Sequence, residues 1–458
     1  MDVYHDLVDD KRMITATGFR FTYENSRASS LLIENLQISS GQLVVLCGKS
    51  GSGKSTFLRL INGLIPDYYE GKLEGQLEIA DQLAGKQTVE ECSKQVASVF
   101  QNPSSQFFHK YVKHELVLPG ENHGQSTAGI LNKLEKLTAD FALEDYLERD
   151  LSTLSGGEKQ RIALLTALMQ DTDILVLDEP TANLDRSGIE QVASYLSILK
   201  QEGKTILIAE HRLDYLKDLA DRYLYFDQGV LKRDYSKKEF DSLTETERHD
   251  LGLRSQDLSS SISKLEAKKQ IAPSPLTGDL TIKNLRLQAG DQELSFLEEA
   301  NFKSGAITAL VGPNGKGKST LAFYLAGLLD DEEADFYLDG QALSAHDRLK
   351  QTAFVLQEVA LQLFSDSVQK ELTLGLKKAV DASNILENLG LKGLEERHPM
   401  TLSGGEMQRL VIASQVLTKK RVFIFDEPSS GLDYQQMLQV ADLLKVLKEQ
   451  GKIILLIS

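Results

Sequence analysis

Residues 48–56 read GKSGSGKST, and residues 312–320 read GPNGKGKST. Each stretch follows an apolar, strand-like run and fits the pattern GxxxxGK[ST]. After a strand, that pattern lets backbone N–H groups converge on phosphate oxygens at a helix N-terminus, where the helix dipole also favours an anion. Gly48, Gly51 and Gly53, and their counterparts Gly312, Gly315 and Gly317, permit the turn and a close backbone approach. Lys54 and Lys318 are placed to meet phosphate oxygens, and the hydroxyls of Ser55 and Ser319 to meet Mg²⁺. Lys49, Ser50, Ser52 and Thr56 complete the first cradle; Pro313, Asn314, Lys316 and Thr320 complete the second.

Working outward, the same further stretches follow each cradle in the same order. The first set is VFQNP around Gln101, LSGGEKQR (Leu154 to Arg161), ILVLDEP ending at Pro180 and TANLD ending at Asp185. The second is VLQ ending at Gln357, LSGGEMQR (Leu402 to Arg409), VFIFDEP ending at Pro428 and SSGLD ending at Asp433. The runs ILVL and VFIF are apolar at every position rather than at alternate ones, as expected of a central parallel strand covered on both faces. Each ends in Asp-Glu, so the carboxylates emerge at the carboxyl edge of a sheet, where open α/β sheets bind ligands. Asp178 and Asp426 are assigned to Mg²⁺. Glu179 and Glu427 follow at once, and strand alternation is expected to turn them elsewhere, toward a water, as general bases.

Ser-Gly-Gly opening a helix is a second anion site, with the serine as cap and bare backbone around it. One unit has no evident use for two such sites. The reading that uses both is reciprocal: Ser155, Gly156 and Gly157 complete the nucleotide site of the second unit, and Ser403, Gly404 and Gly405 complete that of the first.

The chain's 458 residues are too many for one core and suit two domains. Short β-branched or Leu-rich runs alternate with longer helical patterns in each half, the mark of an α/β domain with a mostly parallel sheet. The expected division is residues 1–243, a polar linker over 244–278 and a second domain over 279–458. If flexible, the linker spans roughly 30–35 Å. A formal net charge of −16 argues against nucleic acid as the main partner, since phosphate binding needs a dense basic surface. The only two cysteines, Cys47 and Cys92, are too few for a disulfide framework and fit a reducing compartment. The acidic N-terminus lacks the apolar core of a signal peptide, and no run approaches the ~20 apolar residues of a membrane helix. The chain is expected to be soluble by itself, with any membrane role supplied by a partner.

The ordered set resembles the nucleotide-binding domains of ABC ATPases, twice over nearly the whole chain. The resemblance implies two tandem P-loop NTPase domains, each a mostly parallel sheet core with a helical subdomain and an antiparallel β portion. It also implies ATP and Mg²⁺ as ligands, with ATP binding closing the domain pair and hydrolysis releasing it, within one chain or between two. Under it, Gln101 and Gln357 contact Mg²⁺ or the attacking water and sense a membrane partner. Asp185 and Asp433 communicate across the domain pair, and His211 in IAEHRLD is the switch histidine at the γ-phosphate. Tyr23 is the adenine-stacking aromatic, with a strand-core tyrosine as the alternative; the same count back from Gly312 lands on Leu287. FQNPSSQFF (Phe100 to Phe108), LPGEN (Leu118 to Asn122) and EHRLDYL are similar to energy-coupling factor (ECF) importers, in the cobalt or thiamine-precursor group. That similarity implies integral membrane partners, scaffold and substrate-binding subunits, and a place at the cytoplasmic face of the membrane. A tandem ABC protein acting on ribosomes or DNA is the alternative. Aligning GKTILIAEH with GKIILLIS leaves Ser458 where a second switch histidine would follow next, so truncation of the second domain, or a second site without its switch, is expected.

Overall fold

The computed structural model describes residues 11–24, 29–182, 184–257, 279–289, 292–376 and 383–458. The chain divides into two compact units, Met1–Leu258 and Ser259–Ser458. In the first, the largely apolar segments Leu43–Gly48 (β3), Ile174–Asp178 (β7) and Thr205–Ala209 (β8) form strands buried almost throughout. They pair in parallel, with Val96–Val99 (β6) beyond β7 and Arg222–Asp227 (β9) on the other side of β3. Alternating strands Arg12–Tyr23 (β1), Leu31–Ser39 (β2), Gly71–Ile79 (β4) and Gln82–Leu83 (β5) form the antiparallel portion. The strand Val230–Ser236 (β10) joins the two portions, making a ten-stranded sheet of order β5-β4-β1-β2-β10-β9-β3-β8-β7-β6 among the described residues. The expected mostly parallel core with an antiparallel portion is therefore present.

Helices Val112–Asn122, Thr127–Phe141 and one face of Gly156–Met169 enclose a separate apolar cluster that includes Leu116, Ile130, Leu134 and Ile162. This is the helical subdomain, and it carries the SGG stretch.

The second unit repeats the plan. Ala306–Leu310 (β13), Ile453–Ile457 (β18), Val422–Asp426 (β17) and Thr352–Val355 (β16) pair in parallel in the order β13-β18-β17-β16. Asp279–Ala289 (β11), Gln292–Lys303 (β12), Asp335–Leu338 (β14) and Gln341–Ala342 (β15) pair antiparallel. Val368, Leu372, Leu386 and Leu410 anchor its smaller helical cluster.

The expected linker begins too early. Residues 244–257 belong to the first unit: Thr244 caps the helix Glu245–Asp250 through a reciprocal bond pair with Glu247, Leu253 enters the unit's core, and Gln256 Nε2 donates to the Tyr223 hydroxyl at 3.0 Å. The polar composition misled because this segment is fastened by a capping box and by buried polar contacts rather than by an apolar stripe. The rest of the expected linker, from residue 258 to 278, lies outside the described residues. Among the described residues, no helix is long and apolar enough to cross a membrane.

Candidate active site

The first cradle runs from β3 into the helix Lys54–Ile61, and Gly53 stands at its start with φ 103°. Gly48 has φ 139°, and a Cβ there would lie 2.1 Å from the Phe226 carbonyl oxygen. Glycine is therefore obligatory at position 48. The other glycines serve the turn itself. Gly51 and its counterpart Gly315 sit in left-handed backbone with φ 73° and 74°, and a Cβ at either would meet open space. Conformation rather than room therefore favours glycine at those two positions. Gly317, with φ 86°, starts the helix Lys318–Ala326 as Gly53 starts its own. Gly312, with φ 157°, has no close neighbour corresponding to the Phe226 carbonyl, so the tight approach at Gly48 is not repeated in the second cradle.

The first loop curls round the Lys54 ammonium, which donates to the carbonyls of Gly48 and Lys49, both at 2.9 Å. Ser55 Oγ donates to Asp178 Oδ1 at 3.1 Å. In the second unit Lys318 Nζ donates to the carbonyls of Gly312 and Pro313 at 2.6 and 3.2 Å, and Ser319 Oγ to Asp426 Oδ2 at 2.7 Å. Residues more than a hundred positions apart in sequence are thus brought together in each unit.

Glu179 and Glu427 leave their strands by a different route from the expected alternation. Both adopt left-handed backbone, with φ 47° and 48°, a conformation that costs a non-glycine residue on the order of 1–2 kcal/mol. The turn, rather than the pleat, sets how each residue leaves its strand, and it brings the Glu179 side chain to Gln101. Glu179 Oε2 accepts from Gln101 Nε2 at 3.0 Å, and His211 Nε2 lies 3.5 Å from Glu179 Oε1. His211 is buried, and its Nε2 has no hydrogen-bond partner. That orphaned nitrogen, the desolvated Lys54 and the Ser55–Asp178 pair are the groups an anionic phosphate and its divalent counter-ion would satisfy. Among the described residues there is no cluster of three or more His, Cys, Asp or Glu able to hold a metal unaided. A hydroxyl paired with a carboxylate is an oxygen donor set that suits Mg²⁺ shared with phosphate oxygens.

Burial shapes the charges here. It pushes the Glu179 carboxyl up to about 8, reinforced by Glu210 and Asp178 and opposed by Lys54 and Arg254. Burial also raises Asp178, opposed by the Ser55 hydrogen bond and by Lys54. It holds the His211 imidazole well below its ordinary range, with the Lys54 and Arg254 charges adding to the effect. A cavity of about 220 Å³ opens beside the site, lined by Ser55, Arg59, Gln101, Asn102 and Asp178 among others.

Other expected residues fall into place individually. Ser155 and Ser403 each cap their helix in a reciprocal bond pair with Glu158 and Glu406, and Gly156 and Gly404 are exposed at those helix starts. Asp185 and Asp433 cap the helices Arg186–Gln201 and Tyr434–Glu449. The Tyr23 hydroxyl is 3.1 Å from Thr56 Oγ1, beside the first cradle. Gln101 and Gln357 are exposed.

Three features escaped the sequence reading. Glu210, buried next to His211, accepts four hydrogen bonds. Arg254 lies in the misassigned segment, yet its charge reaches both Glu179 and His211. Finally, each glutamine loop is strapped by a buried glutamate. Glu115 Oε2 accepts from the backbone N–H groups of Phe108 and His109 at 2.9 and 2.8 Å; Glu371 Oε2 does the same for Phe364 and Ser365 at 2.9 and 2.7 Å. Phe108 and Phe364 are consequently turned outward, 84% and 77% exposed. The sequence signal was there, a glutamate seven positions after each phenylalanine, but only burial gives it meaning.

Two phosphate cradles on parallel sheets, each with a Ser-Asp pair and a following glutamate, define a tandem P-loop NTPase. The ABC transporter family model matches residues 33–182 and 298–430, and the chain belongs to that family, whose members bind and hydrolyse ATP. A candidate ABC transporter ATP-binding protein of Treponema denticola is 38% identical over 97% of this chain and 92% of its own length. A Methanosarcina mazei protein of the same description is 32% identical over 97% and 90%. Among solved structures, that titled a model of ribosome-bound archaeal Pelota and ABCE1 superposes with TM-score 0.70 at 23% identity, covering 96% of this chain and 73% of that one. At that identity the likeness is one of fold.

Proposed function

We propose that this chain is the ATP-hydrolysing subunit of an ECF-type importer for a vitamin or metal ion, acting at the cytoplasmic face of a membrane. The observation that carries the hydrolytic part is the meeting of Gln101, Glu179 and His211 beside the Ser55–Asp178 pair and Lys54. In this reading the cradle N–H groups and Lys54 hold the β- and γ-phosphates of ATP. Gln101 orients a water, and Glu179 accepts its proton as the oxygen attacks the γ-phosphorus. The β–γ bridging bond breaks, giving ADP and phosphate. His211 is the neutral group facing the γ-phosphate. Ser55, Asp178 and Gln101 would hold Mg²⁺, as would Ser319, Asp426 and Gln357 in the second unit. When bound, the ion supplies positive charge that neutralises the phosphates and favours ionised carboxylates nearby. The SGG stretch of each unit would close over the nucleotide of the other, within one chain or between two.

The transport part rests on the family and on the strapped loops, which present Phe108 and Phe364 as apolar contacts for membrane scaffold subunits. Substrate choice would lie with a separate membrane subunit. Glu179→Gln with Glu427→Gln is expected to keep ATP binding while lowering turnover by ~10²–10⁴-fold; wild-type ATPase activity in that double variant removes the base assignment. Pull-down from detergent-solubilised native membranes is expected to recover integral membrane proteins. Sedimentation with ribosomes in their place would overturn the importer reading.

A further inference from the structure

The carboxylate of Glu210 is buried and saturated. Its Oε1 accepts from the backbone N–H groups of His211 at 2.8 Å and Arg212 at 3.1 Å. Its Oε2 accepts from Thr181 Oγ1 at 2.6 Å and from the Tyr215 hydroxyl at 3.1 Å. Four donors fill the four lone-pair directions a carboxylate offers. They come from two different segments: Thr181 lies two residues after Glu179, whereas His211, Arg212 and Tyr215 lie beyond the end of β8. A second tie joins the same two segments, since Arg212 Nη1 donates to the Leu184 carbonyl at 3.2 Å. Thr181 and Leu184 thus both lie on the stretch leading from the catalytic glutamate to Asp185, and both are fastened to the stretch that carries His211.

We propose that Glu210 is a positioning residue of the first ATP site: with Arg212 it staples the segment after Glu179 to the segment bearing His211, so that the histidine is held beside the glutamate. Glu210 itself touches neither water nor phosphate in this scheme. The staple belongs to the first site. Ala209 pairs with Asp178 just as Ile457 pairs with Asp426, which puts Ser458 in the register of Glu210, and a serine is too short to span the same four donors. This inference rests on the assignment of Glu179 and His211 to hydrolysis.

The test is steady-state ATPase kinetics on the full chain, with nucleotide titration and thermal melting alongside. A shift of about 1 Å in a reacting group can cost ~10²-fold, so Glu210→Ala and Glu210→Ser are expected to lower kcat roughly 10- to 100-fold while KM for ATP stays within about twofold. Glu210→Gln should keep kcat within about threefold. Its amide oxygen can still accept from the two backbone N–H groups, and the two hydroxyls can turn to accept from its NH₂. Wild-type kcat in Glu210→Ala overturns the proposal. So does a Glu210→Gln variant as slow as Glu210→Ala, which would make charge rather than placement the cause, or a loss that falls on KM. If the alanine and serine variants do not fold, Thr181→Val carries the test, because it removes one donor at nearly constant shape. A fall in its kcat at unchanged KM supports the staple, and an unchanged kcat overturns it. Glu179→Gln run in parallel separates the two levels: wild-type turnover there sinks the site assignment, whatever the Glu210 variants do.

Discussion

Glu179 sits in a place that works against its own ionisation. Its ordinary value of 4.5 rises to about 8 in the folded chain, chiefly through burial. Between those two values the folded state binds a proton that the unfolded state has released, so this group withdraws stability as the pH climbs from 4.5 through 8. Below 4.5 both states are protonated and the effect vanishes. Glu179→Gln cannot ionise. Without nucleotide, it is therefore expected to melt above the wild type at pH 8, since each unit by which the value is raised is worth about 1.4 kcal/mol. The gap should close as the pH falls to 5, and scanning calorimetry at the two pH values reads it. An equal gap at both would show that the carboxyl is not strained by burial. The first cradle is equally exacting: Gly48→Ala must push its methyl into the Phe226 carbonyl, and a loss of both melting temperature and ATP affinity is expected.

Among the elements, the strapped glutamine loops carry the clearest consequence. Glu115 and Glu371, themselves buried, each hold two backbone N–H groups of the neighbouring loop. A hydrogen bond to a charged group contributes about 1.5–3 kcal/mol. Glu115→Ala is expected to lower the melting temperature of the first unit and to speed proteolytic cleavage near Phe108, with ATP affinity retained. Glu115→Gln, which keeps one accepting oxygen, should fall between. A cleavage rate unchanged in the alanine variant would mean the loop is held by something else. Much of this element level was legible: strands β7 and β17 announced themselves as unbroken apolar runs ending in Asp-Glu, and SGGE announced a capped helix start. The straps were not, because an acidic residue on a helix reads as solvated until its neighbours are known.

For the whole molecule, the segment 244–257 decides how the first unit must be cut. A fragment ending at residue 243 loses the buried Leu253 and the Gln256 bond to Tyr223. Removing one buried leucine side chain alone costs about 2–5 kcal/mol, so that fragment is expected to melt well below one ending at residue 258. Equal melting temperatures would return the segment to the linker.

The amino-acid sequence alone determined the α/β class, the duplication and the two glycine-rich GxxxxGK[ST] loops. These are written as local patterns of glycine, charge and apolar runs, and local patterns survive without coordinates. Tertiary structure decided what depends on which side chains lose water together. That includes the left-handed turn that aims Glu179, its raised proton affinity, the Glu115 and Glu371 straps and the four-donor grip of Glu210. A buried carboxylate and an exposed one are the same letter, and only the fold assigns each its neighbours.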